Sequence, residues 1–179
     1  MMTRESWWRS NAVALVALAV VLPATAAVTT VNEWWDYYSG RPAQAVEVVP
    51  GAETSFADAT WLDARLTRRS DGPDLDIPPG TKLLVATIDV EIDPGDPPLG
   101  CTLTLREATG AQRQWGSAAL DPFGWRTSEG MAGICSSEAT EPYTVEVPFV
   151  LPDDARGPYT IDMSVGEELP RFLRFHFDG

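Results

Sequence analysis

The sequence predicts an all-β domain, a sandwich of antiparallel sheets, preceded by one apolar transmembrane helix. Three observations carry this reading. Residues 10–32 run for 23 positions without a charge. Beyond residue 43, apolar and polar residues alternate with period 2 in seven short runs, the pattern of strands with one dry face. The chain's 15 Pro and 14 Gly mostly fall between those runs and leave no room for a long amphipathic helix. At 179 residues, with 44% apolar and 22% charged, the composition is that of one globular domain with a terminal appendage.

The appendage comes first. A helix over residues 10–32 would measure roughly 34 Å, enough for a hydrocarbon core of about 30 Å. Its densest part is Ala12–Leu22, eleven consecutive apolar residues. Trp7 and Trp8 stand before it, and Trp34, Trp35, Tyr37 and Tyr38 after it, placed as two interfacial aromatic belts. Arg4 and Arg9 precede the span, while Glu33 and Asp36 follow it. The positive-inside rule then makes residues 1–9 a cytoplasmic tail, 10–32 a signal anchor and 33–42 a juxtamembrane linker, with 43–179 extracytoplasmic. A cleaved signal peptide stays open as the alternative, since Pro23-Ala24-Thr25-Ala26 offers an A-x-A site. Cleavage after Ala26 would release a secreted domain. No Cys closes the apolar stretch, so no thiol is placed there for acylation.

The strands follow in order. Ala45–Val49 ends at Pro50-Gly51, and Thr60–Arg68 sets Leu62, Ala64 and Leu66 against Asp63, Arg65 and Thr67. Lys82–Ile92 is the longest, with Leu84, Ala86, Ile88, Val90 and Ile92 on one face. Leu103 and Leu105 share a face with Cys101, and Tyr143, Val145, Val147 and Phe149 line another strand. Tyr159, Ile161, Met163 and Val165 form an inward row, and the last strand, Arg171–Phe177, turns Leu173, Phe175 and Phe177 inward. About seven to nine such strands suit an immunoglobulin-like sandwich, with a small barrel as the other architecture.

Cys101 and Cys135 are the only cysteines. Both lie in the part predicted to be exported, where oxidation is permitted, so a disulfide between them is expected. With Thr60-Trp61-Leu62, Pro79-Gly80-Thr81 leading into the long strand, Val147-Pro148-Phe149 and Tyr159-Thr160-Ile161, the order resembles the telokin-like immunoglobulin-fold domains of actinobacterial exported proteins. The resemblance spans roughly 45–178. It implies a small exported or surface-anchored binding or accessory domain without catalytic residues, and it supplies no site.

Reactive chemistry finds little support. The one His, His176, alternates with Phe172 and Arg174 on the wet face of the last strand, whereas a nucleophile triad needs a positioned general base. No Walker loop, G-x-S-x-G elbow or H-E-x-x-H is present. Asp89, Glu91, Asp93 and Asp96 form one acidic stretch, and Asp71, Asp74 and Asp76 another. A calcium-dependent adhesion or hydrolase domain is therefore the other alternative, although side chains at i and i+2 on a strand are about 7 Å apart and suit a solvated face better. No metal, cofactor or small-molecule substrate is predicted.

The segment Gly116–Gly133 is the most suggestive one for function. It is an 18-residue connection carrying Leu120, Phe123, Trp125, Arg126 and Met131, and long loops with aromatic and Arg residues are common interface elements. The plainer reading is that its rings fold back to close one end of the sandwich, tethered by Cys135. The formal charge of −13 divides as +1 over residues 1–32 and −14 over 33–179. Such a balance argues against nucleic acid and for a basic or neutral protein partner. The function expected is thus non-catalytic: a membrane-anchored binding or accessory domain at the cell envelope.

Overall fold

The computed structural model describes residues 4–69, 75–92, 100–136 and 139–178. The chain divides into two compact units, Met1–Arg41 and Pro42–Gly179. The first is a single helix, α1 (Arg4–Ser39), which continues through Pro23. Its stretch Trp7–Ser39 is long and apolar enough to cross a membrane. Residues 33–39 of the expected juxtamembrane linker continue the same helix. Aromatic contacts reinforce this last part: Trp34 lies on Tyr38 with ring centroids 4.3 Å apart, and the Arg41 guanidinium sits 3.7 Å from the Tyr37 ring.

Among its described residues the second unit holds nine strands. They are β1 (Gln44–Glu47), β2 (Thr54–Phe56), β3 (Ala59–Arg69), β4 (Thr81–Ile92), β5 (Thr102–Glu107), β6 (Gln114–Gly116), β7 (Tyr143–Pro152), β8 (Tyr159–Ser164) and β9 (Arg171–Phe177). One sheet has the order β1-β9-β8-β5-β6 and the other β2-β3-β4-β7. Among the described residues, the named strands pair antiparallel except β1 with β9, which is parallel and places Gln44 opposite Arg171; a parallel bridge also joins Ala132 to Val145 of β7. The wholly antiparallel expectation fails at this edge because the chain's first and last strands run the same way.

Alternation explains the packing. Leu103 and Leu105 of β5, Ile161 and Met163 of β8, and Leu173 and Phe175 of β9 all join one core with Trp61, Ala86, Ile88, Val145, Val147 and Phe149 from the other sheet. The β2–β3 hairpin escaped the sequence because its two-residue turn, Ala57-Asp58, has φ of 53° at both positions without the usual Asn or Gly. The buried Trp61 indole holds that turn, donating to the Phe56 carbonyl at 2.8 Å. Cys101 and Cys135 form a disulfide. It ties the start of β5 to the segment before β7.

One departure from simple alternation matters for function. In β4 the run Leu83-Leu84-Val85-Ala86 is buried throughout, so part of the strand is covered on both faces. Leu83 and Val85 face away from the main core into a second, smaller one with Ala118 and Phe123, flanked by Leu75, Ile77, Trp125 and Val150.

Candidate functional site

The cover over that outer face is the long connection between β6 and β7. Its backbone is pinned along the free edge of β7. The Ala118 amide donates to the Pro148 carbonyl at 2.9 Å, and the Ala132 amide to the Thr144 carbonyl at 2.9 Å. The Glu146 amide donates back to the Ala132 carbonyl at 2.8 Å. A strand edge that would otherwise present free donors and acceptors is thereby occupied.

A buried carboxylate adds a further pin. Glu146 is 4% exposed and projects beneath the loop from β7. It accepts the Ser128 amide at 2.7 Å and the Ser128 hydroxyl at 3.0 Å, and Arg69 approaches at 3.6 Å. The Arg69 guanidinium also lies 5.3 Å from the centroid of the Trp125 ring. The Cys101–Cys135 disulfide closes the base of the connection. A charged group this buried is retained only where donors and a cation compensate it, as they do here.

The five residues expected in this loop therefore separate into two sets. Phe123, at 4% exposed, is a core residue, and Trp125 is half-buried beside it. These rings do fold back, but onto the outer face of the β4–β7 sheet rather than over the end of the sandwich. Leu83 and Val85 supply the apolar surface that draws them there. Leu120 is 99% exposed and Met131 39%, with Arg126 exposed between them in sequence. Ile134, 67% exposed beside the disulfide, belongs with the outward set and was not singled out from the sequence. Its signal was an apolar residue directly before a cysteine in a loop, which is too common to be informative alone.

Other candidates are placed as follows. His176 lies on the outer face of β9, where its Nε2 is 2.6 Å from Glu47 of β1. The row continues with Arg174, which donates to both oxygens of Asp162 at 2.7 and 2.8 Å. These contacts link β1, β9 and β8 across their outer face. Beside them, Val48, Pro50, Leu62, Asp63, Ala64, Phe175 and His176 line a cavity of about 40 Å³, room for water but not for an organic substrate.

Of the acidic stretches, Asp89 accepts the Thr144 hydroxyl at 2.7 Å and Glu91 is exposed on β4. Asp71, Asp74, Asp93 and Asp96 lie outside the described residues, and Asp76 is exposed. Among the described residues, no three His, Cys, Asp or Glu side chains converge as metal ligands would. Comparison with protein families, with curated proteins and with solved structures finds no match for this chain.

Proposed function

We propose that the chain is a non-catalytic accessory domain of the cell envelope, anchored in the membrane by α1, that docks a protein partner through the loop between β6 and β7. The observation that carries this is the division within the loop. Its backbone is fixed by edge hydrogen bonds, a buried carboxylate and a disulfide, yet it leaves Leu120, Met131 and Ile134 exposed. A loop held in place before binding loses little entropy when a partner arrives, and exposed apolar side chains on such a frame are what a partner can bury. With −14 over residues 33–179, the partner is a basic or neutral protein.

The fold reading is the immunoglobulin-like sandwich. Two sheets around a shared core support it, as does a first strand lying parallel to the last at a sheet edge. Two Arg before the span and acids after it support a topology with the N-terminus in the cytoplasm and the β domain outside. An exterior location also agrees with a disulfide.

Affinity isolation from detergent-solubilised membranes tests the docking claim. A partner retained by the wild-type chain should be lost with Leu120→Ser and Met131→Ser and kept with Arg65→Gln on the β3 face. Retention by all three variants would sink the loop reading. Mature protein beginning at Ala27 in the medium would replace the anchored form with a secreted one.

A further inference from the structure

At the end of the domain where β8 begins and β9 finishes, three basic residues meet. Lys82 opens β4, opposite Leu151 of β7. Its ammonium donates to the carbonyl oxygen of Ala155, in the β7–β8 connection. The Arg156 guanidinium donates to that same oxygen at 3.1 Å, and also to the Asp153 carbonyl. Two full positive charges therefore share one neutral acceptor. Arg68 of β3 is paired with Leu84, two residues along from Lys82 on the same face, and is exposed.

Among the described residues, none of these three is ion-paired to a carboxylate. The acids close by are Asp153, Asp154 and Glu107. One guanidinium, Arg113, engages both Asp154, at 3.0 and 3.2 Å, and Glu107, at 2.8 and 3.1 Å, while Asp153 is exposed and acts on Lys82 from the β7–β8 connection. Burial first, then the neighbouring Arg156 and Arg68, hold the Lys82 ammonium below its ordinary range, with Asp153 and Asp154 acting in the opposite direction.

We propose that Lys82 and Arg156, flanked by Arg68, form a binding site for a phosphate-class oxyanion. A single carboxylate would leave most of the positive charge uncompensated, whereas a phosphate brings close to two negative charges and several acceptor oxygens. Lys supplies a point charge and Arg a planar fork, the two modes by which proteins hold phosphate. The site stands apart from the docking loop and does not depend on that reading.

Inorganic pyrophosphate is the probe, titrated calorimetrically into the full chain in non-ionic detergent at constant ionic strength. Saturable binding is expected, weakened at least tenfold in Arg156→Gln and in Arg68→Gln. Arg68 is exposed, so its variant keeps the test valid should Arg156→Gln or Lys82→Met fail to fold. Absence of saturation, or equal affinity in wild type and Arg68→Gln, would overturn the proposal. Repeating the titration in phosphatidylcholine and in phosphatidylglycerol nanodiscs separates the sources. Weaker pyrophosphate binding in the anionic discs, abolished in Arg156→Gln, identifies lipid headgroups as the occupant. Equal affinity in both discs identifies a soluble or polymer-borne phosphate.

Discussion

Truncating Phe123 and truncating Leu120 should have opposite consequences, although the two residues are three positions apart in one loop. Phe123 is 4% exposed and belongs to a small cluster in which, among the described residues, Leu83, Val85 and Ala118 are also buried. Removing a buried Phe side chain costs about 3–5 kcal/mol in a full core, and a cluster this small places Phe123→Ala at the low end, about 3 kcal/mol. The loss is local, because the main core has its own residues on the opposite face of the sheet. Hydrogen exchange reads it directly: the Ala118 and Ala132 amides, bonded to Pro148 and Thr144, should exchange about a hundredfold faster, with Ile161 in β8 little changed. Leu120→Ala, at a residue 99% exposed, should move stability by less than about 0.5 kcal/mol while still reducing partner retention. Unchanged exchange at Ala118 and Ala132 in Phe123→Ala would refute the second core. Equal destabilisation by Leu120→Ala would refute the division of the loop into packing and docking residues.

Replacing Cys101 and Cys135 by Ser opens a loop of 34 residues and should cost about 4 kcal/mol in the chain-entropy picture, read as a lower denaturant midpoint with a slope that steepens because the opened unfolded chain exposes more surface. Ala57→Asn with Asp58→Gly relieves two left-handed residues, each at φ 53°, and should stabilise by about 1 kcal/mol, visible as a melting temperature higher by about 4 °C. Hydrogen bonds from the Arg113 guanidinium hold the Glu107 carboxyl at about 2, against an ordinary value of 4.5. A depressed carboxyl contributes stability that is complete above its unfolded value and is lost as pH falls through its folded value. Wild type should therefore lose melting temperature more steeply than Glu107→Gln between pH 4.5 and 2, and equal slopes would remove the Glu107–Arg113 pair from the account.

The strands legible in the sequence are those long enough for alternation to repeat. β3, β4, β7, β8 and β9 each place three or more apolar residues on one side, and β5 places Leu103 and Leu105 in line with Cys101 just before it. The three-residue strands β2 and β6 give alternation nothing to repeat, and Ala57-Asp58 carries no turn signature. The loop was legible as a candidate and its internal sorting was not. Phe123 and Leu120 are both apolar, and which one turns inward depends on where Leu83 and Val85 emerge from β4, a relation between segments some 35 positions apart. Lys82, Arg156 and Arg68 stayed hidden for a similar reason, since each is an ordinary surface base until the backbone brings Ala155 between two of them.

The parallel pairing of β1 with β9 has a consequence for the order in which the domain can be completed. Gln44 waits for Arg171, so the first strand to leave the ribosome has no partner until nearly the last one has been made. The β3–β4–β7 ladder needs nothing beyond Pro152 and is free to assemble earlier. Contacts closing across so much chain are slow to form, and until they do, β8 and β1 each present an unsatisfied border. A chain stopped short of Arg171 would keep one sheet whole and leave the other open at two places, which makes the final seven-residue strand the closing step of the fold.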